Sequence, residues 1–145
     1  KRIKDWWGGK MIIKGILDPD DAISASKCGA DAIIISNHGG RQLDDTVSTI
    51  SMLPKIKSVL NDSVELWLDG GIRSGQDILK SIALGADSTL IGRAFLYGLG
   101  ANGKEGVKKS LEIIRKELDL TMALCGRNNI NNVKSDILQK DYFDR

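Results

Sequence analysis

Residues 18–35, DPDDAISASKCGADAIII, decide the fold. Asp18 is placed to cap a helix, with Pro19 at its first position, where a missing backbone N–H costs nothing. Gly29 closes that helix, and the apolar run Ala32 to Ile35 reads as a buried strand. The pattern recurs: Asp21-Ala22-Ile23 followed by Gly29-Ala30-Asp31 becomes Asp77-Ile78-Leu79 followed by Gly85-Ala86-Asp87, an offset of 56 residues in both parts. Each copy is a helix, a Gly-Ala-Asp turn and a strand.

Working outward, four short apolar runs read as strands: Met11 to Ile13, Ala32 to Ile35, Val64 to Leu68 and Thr89 to Ile91. Each leads through a Gly-rich polar turn into a helical pattern. One helix opens near Ser74 and closes at Gly85, with Ile78, Leu79, Ile82 and Ala83 on one stripe. A long one runs from about Glu105 to Leu124, with Val107, Leu111, Ile114, Leu118 and Met122 at three- and four-residue steps. Around Ile50 to Leu60, Pro54 predicts an irregular first turn or a helix that starts there. Strands alternating with helices predict parallel βαβ units in sequential order. A (β/α)8 barrel, the TIM barrel, needs about 250 residues. The expected fold is therefore α/β: half of such a barrel, four parallel strands (units 5–8) with helices, as a single domain over 1–145.

With 145 residues, 41% hydrophobic and 28% charged, the chain has the composition of one globular domain. Twenty-one basic against nineteen acidic residues form no basic run, so no nucleic-acid partner is expected. No apolar stretch approaches the roughly 18 residues of a transmembrane segment, and no signal peptide opens the chain. Residues 1–9 read as the end of something already under way. Cys28 and Cys125 read as two buried thiols in a reducing cytoplasm rather than a disulfide. Trp6, Trp7 and Trp67 read as packing residues, and Asp44 as a helix cap.

In parallel barrels the reactive residues sit at the C-terminal ends of strands. The first strand ends Ile13-Lys14-Gly15; Lys14 alone reads first as a strand-edge lysine reaching solvent. The second ends Ser36-Asn37-His38-Gly39-Gly40-Arg41-Gln42. A lone strand-end histidine is commonly structural, but the following glycines and arginine put a tight turn and a forked cation behind His38. The third ends Asp69-Gly70-Gly71-Ile72-Arg73-Ser74-Gly75 at a helix start, and the fourth Ile91-Gly92-Arg93-Ala94. Two Gly-rich loops, each with an arginine, predict a phosphorylated ligand, with the helix end after Ser74 contributing its dipole.

From Lys14-Gly15 through the histidine segment, Asp69-Gly70-Gly71-Ile72-Arg73, Gly85-Ala86-Asp87 and Gly92-Arg93-Ala94, the chain resembles the C-terminal half of the FMN-dependent 2-hydroxy-acid dehydrogenases and oxidases. The likeness covers about residues 6–138, and its phrasing at Met11 to Pro19 and Gly92 to Gly98 is most similar to the bacterial respiratory L-lactate dehydrogenases. The resemblance implies FMN as cofactor and an L-2-hydroxy acid as substrate, with L-lactate going to pyruvate. It implies His38 as the catalytic base and Arg41 as the substrate-binding residue for the carboxylate. Lys14 would sit beside the flavin N1 and C2 carbonyl, and Asp69, Gly70, Gly71 and Arg73 at the ribityl chain and phosphate. Gly92 and Arg93 would complete the phosphate cradle; no metal is implied. Whether the base takes the hydroxyl proton or the α-carbon proton stays open. The four preceding strands would supply substrate-facing tyrosines, flavin contacts and a carboxylate orienting the histidine. The expected partner is accordingly a second copy, as a homodimer, or a complementary N-terminal half-barrel chain. The implied location is cytoplasmic, peripheral on the inner membrane. Two other readings stand beside this one. One is a non-catalytic half-barrel remnant or partner-binding module. The other is a different FMN- or phosphate-binding barrel, such as a type 2 isopentenyl diphosphate isomerase or an IMP dehydrogenase relative, which lacks the histidine segment.

Overall fold

The computed structural model describes residues 1–60, 62 and 64–139. These fall into two compact units, residues 1–71 with 86–90 and residues 72–85 with 91–139.

In the first unit, helix α1 (Arg2–Trp7) precedes strand β1 (Ile12–Ile16), helix α2 (Pro19–Lys27), strand β2 (Ala32–Ile35), helix α3 (Thr49–Lys57), strand β3 (Glu65–Asp69) and strand β4 (Ser88–Leu90). The strands form one sheet in the order β1-β2-β3-β4, every pair parallel. Registers such as Ile33 opposite Leu66 and Trp67 opposite Ser88 are regular, but β1 shifts by one residue between Lys14 and Ile16. Every residue of β2 is buried, as expected for a strand covered on both faces. Ile33 and Ile35 are wholly inaccessible, as are Leu53 and Ile56 of α3 and Ala22 of α2. Each such large side chain contributes about 1.5–3 kcal/mol of burial.

The repeat has a physical basis. Asp31 donates its N–H to the Met11 carbonyl at 2.8 Å and accepts the Met11 N–H on its carboxylate at 2.8 Å. Asp87 repeats the clamp on Leu66, at 2.7 Å for both bonds. The Gly-Ala-Asp aspartates thus lock the start of one strand against its neighbour.

Several expectations change. Helix α3 starts at Thr49 and keeps Pro54 inside it; the lost hydrogen bond is offset by burying Leu53 and Ile56 on either side. Trp6 and Trp7 are 76% and 70% exposed rather than packed, since the six-residue α1 buries nothing. Arg2 lies over the Trp6 ring instead, 5.1 Å from its centroid. Cys28 and Cys125 are free, as read, but exposed rather than buried. Asp44 caps no helix: its carboxylate accepts the Asp45 N–H at 3.0 Å, while Ser48 precedes α3.

In the second unit, helix α4 (Gly75–Ala83) starts with the reciprocal Ser74–Asp77 capping box. Helix α5 (Arg93–Leu124) begins twelve residues before the expected Glu105. Its backbone breaks at Asn102 and Gly103, leaving helical stretches 93–101 and 104–124. Leu79, Ala83 and Val133 form the core here, with Ile82, Leu118, Met122 and Ile130 against it. None of the described helices is long and apolar enough to cross a membrane.

Candidate active site at the strand ends

In the first unit, the C-terminal ends of three adjacent strands converge on one polar network. Lys14, which the sequence placed just past the first strand, lies inside β1 two residues before its end, and donates its ammonium to Ser36 Oγ at 2.8 Å and to Asp69 Oδ2, at the end of β3, at 2.6 Å. Ser36, the residue after β2, donates its hydroxyl to the same Asp69 oxygen at 2.6 Å. It is 1% exposed and, among the described residues, the one bonded to both charges. Lys14 is thus ion-paired, with its side chain 39% exposed. Burial pushes the Asp69 carboxyl up, but the Lys14 and Ser36 hydrogen bonds and the Lys14 charge outweigh it, so its pKa lies below the ordinary carboxylate range.

The same Ser36 oxygen accepts the His38 N–H at 3.1 Å. His38 has φ 55, in the left-handed region that non-glycine residues seldom occupy. Two local bonds sustain it: the one to Ser36, and the Gly39 N–H donated to Asn37 Oδ1 at 3.0 Å. His38 is exposed, and among the described residues its ring nitrogens make no hydrogen bond. Arg41 ends the same turn, donating its N–H to the His38 carbonyl at 3.4 Å, with an exposed side chain. Gly70 lies against Asn37 and Thr49, whose hydroxyl donates to the Gly70 carbonyl at 3.3 Å. Gly71 faces open space.

Arg73, Gly92 and Arg93 belong to the second unit and are exposed. The start of α4 differs from expectation. Asp77 accepts the Arg73 and Ser74 N–H groups, each at 3.0 Å, and Glu117 accepts that of Gly75 at 3.0 Å. The protein's own carboxylates occupy the donors on which the helix-end reading relied.

Ser36 and Gly15 carry no assigned role in the sequence. A hydroxyl directly after an isoleucine run is a visible signal, because such a group must find partners. The part played by Gly15 depends on what packs against it, which is set by the fold. Tyr97 is 78% exposed, and Tyr142 lies outside the described residues.

Solved structures share the fold. Over 86% of this chain, a crystal structure of mandelate oxidase with benzoyl-formic acid matches with a TM-score of 0.83 and 42% identity, using 37% of that chain. An L-lactate dehydrogenase of Actinobacillus pleuropneumoniae serotype 5b (strain L20) is 48% identical over 136 residues, 94% of this chain and 36% of the relative. One from Pseudomonas putida (strain GB-1) is 50% identical over 139 residues, 96% of this chain and 36% of the relative. The chain therefore spans little more than a third of the relatives it matches. Residues 1–140 match the FMN-dependent dehydrogenase family, and the chain belongs to that family.

Proposed function

We propose that this chain is the cofactor- and substrate-facing half-barrel of an oxidoreductase that converts an L-2-hydroxy acid, L-lactate foremost, to its 2-oxo acid with FMN. The observation that carries this is the Lys14–Ser36–Asp69 network with His38 hung from its central serine.

The residues present suit FMN. Lys14 offers a fixed ammonium to an electron-rich ring edge, and Asp69 an acceptor to a hydroxylated chain. Arg73 and Arg93, exposed and without ion pairs among the described residues, suit a phosphate. With α4 self-capped, those side chains and the open backbone at Gly92 carry that role rather than the helix end. When bound, FMN supplies the two-electron acceptor. Arg41 grips the substrate carboxylate through its planar fork, and an unpartnered His38 nitrogen takes the proton as the carbon is oxidised. The strands that complete a barrel would pair with β1 and β4, the sheet's edges, and come from the remainder of a full-length protein, a second copy or a complementary chain. A cytoplasmic location, peripheral to the inner membrane, accords with this reading.

The test is His38→Gln in the full-length protein. Flavin content should hold while kcat falls by about 10² to 10⁴-fold. Arg41→Lys should chiefly raise KM. Near-full turnover in the His38 variant would remove it from the catalytic role.

A further inference from the structure

His38 has no hydrogen bond to its ring among the described residues, yet the ring has a definite place. Its neighbour is Gly15. A Cβ built on Gly15 would lie 2.8 Å from His38 Cε1, 3.5 Å from Nε2 and 3.9 Å from Nδ1. The imidazole therefore occupies the space that any side chain at position 15 would fill, Cε1 edge first. Gly15 has φ +98 and lies where the β1 register shifts, between Lys14 and Ile16. The irregularity brings bare backbone up to the ring and leaves both nitrogens unengaged.

We propose that Gly15 is a positioning residue for His38: the slot it leaves in β1 sets where the imidazole sits. This rests on His38 being the proton acceptor, but the contact can be tested without turnover. Real Cβ atoms essentially never approach within 3.0 Å of a neighbour, so in Gly15→Ala the ring must move. A displacement approaching an ångström costs about 10²-fold where a catalytic group must meet its substrate.

The experiment combines NMR and kinetics on the full-length protein. The His38 Cε1–Hε1 resonance is assigned as the one missing from His38→Gln. The wild type should show a nuclear Overhauser effect between that proton and the Gly15 α-protons, a readout that needs no variant to fold. Gly15→Ala should shift the resonance, lower kcat by about 10 to 10²-fold with flavin content kept, and displace the pH profile of kcat/KM. Alanine at φ +98 also strains the backbone wherever His38 sits, and the exposed ring gives way at little cost, so the readout is the position of the ring rather than stability. Absence of the Overhauser effect would overturn the proposal, and so would an unmoved resonance in Gly15→Ala. An inactive His38→Gln with a normal Gly15→Ala sinks this inference alone; an active His38→Gln sinks the functional reading and leaves the contact measurable.

Discussion

Ser36→Ala removes one oxygen that serves three partners: the Lys14 ammonium, the Asp69 carboxylate and the His38 N–H. Hydrogen bonds to charged groups contribute about 1.5–3 kcal/mol each and neutral ones about 0.5–1.5 kcal/mol. The charged pair keeps its own 2.6 Å contact after the change, and the Lys14 side chain is 39% exposed, so both charged bonds are discounted. About 1 kcal/mol each remains, and with the neutral bond the sum is about 2.5–3.5 kcal/mol. At roughly 3 °C per kcal/mol for this length, the melting temperature should fall by roughly 8–10 °C. Urea unfolding followed by circular dichroism gives the free energy directly. The pH dependence has a definite sign. Asp69 has a lowered folded pKa, so its contribution is present above the unfolded value, about 3.9, and is lost as pH falls through the folded one. Removing Ser36 takes away one cause of that lowering, so wild type and variant should differ most near neutrality and converge in acid. A loss under about 0.5 kcal/mol, or a difference that grows in acid, would refute the network as drawn.

Gly106→Ala should disrupt the second unit, because its Cβ would lie 1.8 Å from the Gly98 carbonyl oxygen, backbone that cannot swing aside. Overpacking costs about 1–3 kcal/mol and more where nothing yields, so an unchanged urea midpoint would contradict the close approach of stretches 93–101 and 104–124. Asp87→Ala should cost about 1–3 kcal/mol in the same assay by orphaning the N–H of buried Leu66; a neutral outcome would mean that the aspartate clamp does not hold the strand. The Lys4 and Lys10 hydrogen bonds, then the Met11 N–H, hold the Asp31 carboxyl well below its usual range. Its stabilisation is present above the unfolded carboxylate value and lost as pH falls below it, so Asp31→Asn should flatten the acid limb of the stability profile; an acid limb identical to wild type would argue against the pairing.

The sequence by itself determined the four strands, their parallel sequential order and the residues at their ends. Period and punctuation are local: Pro19 after a capping aspartate, Gly29 and Gly85 at helix ends, and the wholly apolar Ala-Ile-Ile-Ile of β2 admit few alternatives. The histidine segment was legible for the same reason, since its glycines and arginine adjoin His38 in the chain. What sequence misplaced were features set by packing between distant residues. Pro54 stays inside α3 because Leu53 and Ile56 are buried, and Trp6 and Trp7 stand exposed on the six-residue α1, which buries none of its residues. The start of α4 looked open to an anion until Glu117, 42 residues beyond Gly75, supplied a carboxylate to it. Ser36 became a hub only when Lys14 and Asp69 arrived from neighbouring strands, 22 and 33 residues away. The space at Gly15 acquired meaning only once the His38 ring lay in it. Sequence encodes which groups are available; hydrogen bonds act within about 3 Å, and only the parallel register of β1, β2 and β3 brings these groups that close.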